Sequence, residues 1–394
     1  MDEGVKIEPN FLPAPDPAGI PLSLYVHWPW CVRKCPYCDF NSHASKTVPE
    51  VRYVDALLRE LVVDARGIGS RTVQTVYFGG GTPSLLSAEG FTRLLGGIRS
   101  IVPLADDAEI SLEANPGTAD ETKFEAYAAA GVNRLSLGVQ SFDDASLKRL
   151  GRIHGRDDAV RAVEAAKRYF PRVNVDLMFG LPFETMARLR KEVTELVATG
   201  VTHVSCYQLT IEGGTAFAKH EPEGLPDEDL AADLQDAVVA FLTQAGFDRY
   251  EVSGYSKNGE ISRHNSNYWM FGDYLGIGAG AHAKLTTPEG IVRTASTAQP
   301  LRYLKASEEG GTTKEERRIV TAAELPFEFM LNVLRLRAGV PADYWTKRTG
   351  LPWEAVASTV EGLRKEGLWT TAPDRIGTSP RGFAFLSGVQ EAFL

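Results

Sequence analysis

Short apolar runs alternate with helical stripes along most of this chain. Runs of strand length occupy residues 24–28, 73–78, 110–113, 134–139, 173–179 and 204–209. Between them, polar stretches carry apolar residues at helical spacing. Val54, Leu57, Leu58 and Leu61 form one stripe, Leu189, Val193, Leu196 and Val197 another, and Leu230, Leu234, Val238, Phe241 and Leu242 a third. This alternation, from about residue 22 to 245, predicts a parallel α/β sheet of six βα units. Six units are fewer than a closed eightfold barrel needs, and periodicity alone allows either a partial barrel or a doubly wound sheet.

The pattern changes after that. Residues 286–318, with TTPEG, EEGGTT and KEERR, predict a linker. Residues 319–394 predict a separate α+β module. ELPFEFMLNVLRLRAGV reads as a helix and WEAVASTVEGLRKEGLW as a helix running into a strand. TAPDRIGTSPRGFAFLSGV reads as a small wing and final helix, so the whole is winged-helix-like. Such modules often bind DNA, but residues 319–394 hold eight Lys/Arg and eight Asp/Glu, a neutral balance that suits a cap or partner surface.

Composition narrows the classes. The chain has 394 residues and a formal net charge of −9, with no basic tract, which disfavours bulk nucleic-acid binding. No apolar stretch approaches the roughly 20 residues that span a bilayer. The first 20 residues are acidic and proline-rich, unlike a signal peptide, and read as a loose extension. Four cysteines, three of them clustered, predict no disulfide framework and a reducing cytoplasm.

The clustered cysteines are Cys31, Cys35 and Cys38, spaced C-x3-C-x2-C in a loop directly after the first apolar run. Thiolates select iron–sulfur clusters, zinc or Cu(I). Zinc would need a fourth ligand, and His27 or His43 could supply it. The remaining cysteine, Cys206, lies in the apolar run HVSCYQLT and reads as a buried strand residue. Three thiolates around a four-iron cubane leave one iron open to a further ligand. The loop also falls at the carboxyl end of the first strand, where parallel α/β folds build their sites.

This spacing resembles the signature of the radical S-adenosylmethionine (SAM) superfamily. The resemblance implies a partial (βα)6 barrel, open on one side and followed by the winged-helix-like domain. It also implies a [4Fe–4S] cluster whose open iron chelates SAM and whose electron cleaves SAM to a 5′-deoxyadenosyl radical. The core would span residues 21–285. Motifs after successive strands extend the likeness: YFGGGTPS, EANPGT, GVQSFDDASLKRLGRIH and DLMFGLP are similar to the coproporphyrinogen oxidase-like branch. That branch holds oxygen-independent coproporphyrinogen III oxidases and a group of heme chaperones. By residue-wise match, Tyr25, Gly80 and Glu113 would contact cluster-bound SAM. Tyr37 lies between the second and third cysteines. Gly81, Thr82, Gln140, Arg152 and Asp176 fall where the oxidase holds a second SAM.

Two features separate the oxidases from the chaperones. The oxidases extend the cluster motif by a further cysteine, and Phe40 stands at that position here. HNSNYW, residues 264–269, matches the chaperones' H-N-x-x-Y-W motif, which makes His264 the expected heme ligand, with Tyr268 and Trp269 as aromatic faces. His282, in GAGAHA, is a secondary candidate ligand, although its small-residue turn favours a structural role. The expectation is a heme chaperone carrying a cluster and SAM. Its cargo would be heme and its partners acceptor hemoproteins, with transient contact to membrane hemoproteins and homodimer formation compatible with the sequence. The alternative is a coproporphyrinogen III oxidase, and whether SAM is turned over stays open.

Overall fold

The computed structural model describes residues 14–118 and 121–394, so most of the predicted N-terminal extension lies outside the described residues. Twelve strands form one sheet: β1 Leu22–Trp28, β2 Val73–Gly80, β3 Leu104–Ala114, β4 Arg134–Gln140, β5 Arg172–Phe179, β6 His203–Gln208, β7 Asp248–Arg249, β8 Gly254–Ser256, β9 Asp273–Ile277, β10 His282–Thr287, β11 Gly290–Ser296 and β12 Lys314–Ile319. From edge to edge they run β12-β11-β10-β9-β1-β2-β3-β4-β5-β6-β8-β7. Strands β1 to β6 pair in parallel with their sequence neighbours, and β9 adds in parallel on the outer side of β1. The two edges do not pair, so the predicted partial (βα)6 barrel is present and stays open.

Burial explains why the apolar runs became strands. Val76 and Phe78 of β2, Leu135 and Leu137 of β4 and Val175 and Leu177 of β5 are all buried in one core. Both faces of these strands are covered, which gives near-continuous apolar runs in place of alternation. Helix Glu50–Asp64 lays Val54, Leu57 and Leu61 into that core, and helix Met186–Ala198 adds Leu189, Val193 and Leu196.

Residues 286–318 depart from the predicted linker. They complete β10, form β11, carry helix Pro300–Glu308 and reach into β12. The anchor is Glu60, buried on helix Glu50–Asp64. Its carboxylate accepts from Gly278 N (2.7 Å), Ser296 Oγ (2.8 Å), Tyr303 Oη (2.6 Å), Thr313 Oγ1 (2.8 Å) and Lys314 Nζ (2.8 Å). A buried charge is tolerated when it is this fully partnered. Five donors from four separate segments thereby fix the polar stretch against the barrel.

The C-terminal module packs helices Leu325–Val333, Tyr344–Thr349 and Glu354–Lys365 around Trp345 and Phe329, with a short antiparallel ribbon between Val340–Pro341 and Arg375–Ile376. Its core includes Phe271 and Ile291 from the sheet side. Arg293 of β11 pairs with Glu328 at 2.6 Å, and Arg348 donates to the Met270 carbonyl.

Candidate cluster and cofactor site

The three clustered cysteines sit where β1 ends. Trp30 and Cys31 form a short strand paired with His43 and Ala44, so the loop leaves the sheet and returns beside its own start. All three thiols are free and line one cavity. Burial pushes the Cys31 thiol up, opposed by hydrogen bonds from Thr82 and Ser42. Cys38 Sγ lies 3.7 Å from Ser42 Oγ. Arg152 brings Nη1 to 3.5 Å from Cys35 Sγ, while its Nη2 donates to Gly138 O at 2.6 Å.

The glycine loop after β2 closes the other wall. Gly81 N donates to Trp28 O (2.7 Å) and Thr82 N to Trp30 O (2.8 Å), which laces the loop to the cysteine segment. A Cβ at Gly81 would stand 2.5 Å from Trp30 O. Gly80 has φ +111°, and a Cβ there would strike the His27 ring. Only glycine permits this approach.

Carboxylates and amides from successive strand ends face the same cavity. Glu113 accepts from Tyr77 Oη (2.9 Å) and Gly80 N (3.1 Å). Burial and the nearby Asp176 raise its pKa to about 7, against those two hydrogen bonds. Asp176 is also pushed up by burial, and accepts from Asn174 Nδ2 at 2.7 Å. Gln140 holds φ +70°, a left-handed conformation rare for a side chain of its kind, and its Oε1 accepts from Tyr207 Oη at 2.8 Å. Tyr37 packs toward Phe217 with ring centroids 6.4 Å apart, its hydroxyl pKa raised by burial. Tyr25 hydrogen-bonds His27 Nδ1 at 3.0 Å and lines a second cavity.

These residues fit a [4Fe–4S] cluster with SAM beside it. Among the described residues, no three His, Cys, Asp or Glu side chains close round a single ion, whereas the three thiols share one wider cavity. Both suggested fourth zinc ligands are engaged with Asn41 instead. His27 Nε2 is bonded to Asn41 O (2.9 Å) and His43 Nε2 to Asn41 Oδ1 (3.1 Å). The buried Nε of Arg152 has no partner among the described residues, as expected of a group waiting for a ligand. Glu113 and the backbone of residues 79–81 would hold an amine, and Gln140, Arg152 and Asp176 line the opposite part of the cavity.

A second cavity of about 560 Å³ adjoins the first and shares Phe40, Gly80 and Glu113 with it. Tyr268, Trp269, Phe271 and Tyr274 give it aromatic walls. His264, the expected iron ligand, is not among its lining residues. The ring is buried against Tyr77, with centroids 5.0 Å apart. Its Nδ1 bonds Thr75 Oγ1 (2.7 Å) and its Nε2 bonds Tyr268 Oη (2.8 Å). Burial, helped by the Arg134 charge, lowers its pKa to about 3. In this geometry His264 is a neutral buried support behind Tyr268, because tertiary packing, which the motif does not encode, consumed both its nitrogens.

Sequence reasoning did not single out Asn41, Tyr207, Ser136 and Asn174, which orient the predicted residues. Asn41 alone carried a signal, as a polar residue three positions past the last clustered cysteine.

Comparison with known proteins agrees with this architecture. The family model of the Radical SAM superfamily matches residues 25–196, and that of the HemN C-terminal domain matches residues 320–385. The heme chaperone HemW of Escherichia coli is 45% identical over 95% of this chain and 98% of its own length. That of Haemophilus influenzae is 42% identical over the same shares, 95% and 98%. The solved coproporphyrinogen III oxidase HemN from Escherichia coli has the same fold, with a TM-score of 0.81 over 95% of this chain and 90% of that one, at 22% identity. With full-length identity at this level, a cysteine loop that fits the cluster and a matching C-terminal module, the chain belongs to the HemW family of the radical SAM superfamily.

Proposed function

We propose that this protein binds heme in the aromatic cavity and passes it to acceptor hemoproteins, as a heme chaperone. The observation that carries this reading is the cavity itself: about 560 Å³, walled by Tyr268, Trp269, Phe271 and Tyr274, and sharing a wall with the cluster pocket. Flat aromatic faces suit a porphyrin plane. Cys31, Cys35 and Cys38 would hold the cluster. Glu113, Tyr25 and the backbone of Gly80 would hold SAM, with Gly81, Thr82, Gln140, Arg152 and Asp176 completing the pocket. Tyr37 would shield the cluster from solvent. When bound, the cluster and SAM supply one-electron chemistry next to the heme cavity.

Phe40, where the oxidases carry a further cysteine, lines both cavities, which supports the chaperone reading over porphyrinogen oxidation. No helix among the described residues is long and apolar enough to cross a membrane. The four free thiols support a cytoplasmic setting. Hand-over to membrane hemoproteins would then occur at the membrane surface, and the open barrel leaves edges for a homodimer.

The test is anaerobic titration of the cluster-reconstituted protein with heme, followed by mixing with an apo-hemoprotein. Stoichiometric uptake and transfer support the proposal. Failure to bind heme, together with conversion of coproporphyrinogen III, would replace it with the oxidase reading.

A further inference from the structure

We propose that His282, not His264, is the side chain that ligates heme iron; this rests on the chaperone reading above. The chain has seven histidines, and two of them, His27 and His282, line the aromatic cavity. His27 is buried, and both its ring nitrogens are engaged, by Tyr25 Oη and Asn41 O. His282 is exposed, and among the described residues its ring makes no hydrogen bond. It is therefore the imidazole in the cavity with a lone pair available to a metal. A neutral imidazole is a common axial ligand of heme iron.

The backbone under His282 is held firmly, as a metal ligand requires. His282 opens β10, and a Cβ at Gly276 of the neighbouring strand would come within 1.9 Å of the His282 carbonyl oxygen. The two strands touch at this point. The turn before it, through Gly278 (φ +106°) and Gly280 (φ +82°), has room only for glycine at both positions. Asn41 Nδ2 donates to Ala279 O (2.9 Å) and Ala298 O (2.8 Å), and Ser296 N donates to Ala281 O (2.8 Å). The ring thus projects from a fixed strand end into open space, whereas His264 would have to break two hydrogen bonds and leave its stack on Tyr77 to reach the cavity.

The surroundings suit the rest of the molecule. His282 also lines an adjoining cavity of about 610 Å³, which shares Arg293 and Asn332 with the first. Arg293 bonds Glu328 and Tyr274 and retains donor capacity for a propionate at this junction. Tyr268, Trp269, His282 and Arg293 line one cavity, so a porphyrin held there would find aromatic contacts, an imidazole for its iron and a cation for a propionate within a single lining.

The test uses the cluster-reconstituted full chain and ferric heme, read by absorption and electron paramagnetic resonance spectra. In His282→Gly, cluster content should match wild type, affinity should fall by at least about tenfold, and the histidine-ligated spectrum should be lost. Free imidazole should restore that spectrum, which a structural role would not explain. His264→Gln, checked for fold by circular dichroism, should keep the wild-type heme spectrum. An unchanged spectrum and affinity in His282→Gly would overturn the assignment, as would loss of the ligated spectrum in a folded His264→Gln alone. Absence of heme binding by wild type would instead overturn the chaperone reading beneath it.

Discussion

The Asn41 side-chain amide donates to the Ala279 carbonyl across 2.9 Å, which ties the loop of the clustered cysteines to the turn that precedes His282. The same nitrogen reaches Ala298 O at 2.8 Å, and the Asn41 carbonyl holds His27. One residue thus couples the cluster loop, the first strand and the outer strands of the sheet.

Asn41→Ala should therefore act at a distance from the metal. Loss of both donors should lower stability by about 1–2 kcal/mol, visible as a drop in melting temperature. Heme affinity should fall while iron and sulfide content stay near wild type. Equal losses of cluster and heme would show that the loop has collapsed instead.

Glu113 predicts how SAM binding responds to pH. Its carboxyl titrates at about 7, above the usual 4.5. An amine binds the carboxylate, so affinity for SAM should rise as pH increases toward 7 and level off above it. Below 7 it should fall by about tenfold per pH unit. In the absence of SAM the sign is opposite. A raised carboxyl pKa favours the folded state below the unfolded pKa, and that contribution is lost as pH rises through about 7. Calorimetric titration of wild type and Glu113→Gln between pH 5.5 and 8 separates these effects, because the variant should lose the pH slope.

Gly81→Ala and Gly96→Ala should have opposite effects. At Gly81 a new Cβ would press on the carbonyl oxygens of Trp30 (2.5 Å) and Trp28 (2.8 Å), which are backbone and cannot step aside. Cluster retention should drop and the protein should melt earlier. Gly96 lies within helix Ala88–Ile101 with nothing near its added Cβ. Alanine there should stabilise by about 0.5–1 kcal/mol. Thermal melts of the two variants provide the check.

Glu60→Leu should loosen the outer strands. Five donors, Lys314 among them, would lose their acceptor, at a cost of about 3–5 kcal/mol. Hydrogen exchange should show the largest loss of protection in β11 and β12. If protection in these strands is unchanged, the carboxylate is not their anchor.

The six parallel strands were legible in the sequence because each is covered on both faces and so is written as an apolar run. Strands β10 to β12 were not. β12 is KEERRI, an edge strand whose charged side chains stay exposed or half-buried and discourage further pairing. Read as composition it resembles a linker, and only its pairing with β11 reveals it. At the site, spacing sufficed for Cys31, Cys35 and Cys38, since chemistry fixes which residues can hold a cluster. The strand-end positions of Glu113 and Gln140, and Asp176 inside its apolar strand, followed from the regular βα repeat. The two histidines could not be sorted in that way. His264 has the motif and His282 has the open ring, and this difference comes from burial between segments 189 residues apart, at the Thr75 contact.

Gln140 carries a consequence for evolution of the pocket. A left-handed backbone at that strand end would cost glycine nothing, while a residue with a side chain bears strain of roughly 1–3 kcal/mol. The chain keeps an amide there nonetheless, held by Tyr207. Selection for thermal robustness alone would drift this position toward glycine once Tyr207, whose hydroxyl would otherwise lose its acceptor, also changes. A library screened only for heat resistance should therefore enrich Gln140→Gly together with a change at Tyr207 and, in doing so, erode the cofactor pocket. Position 140 is thus a marker that separates pressure on folding from pressure on function.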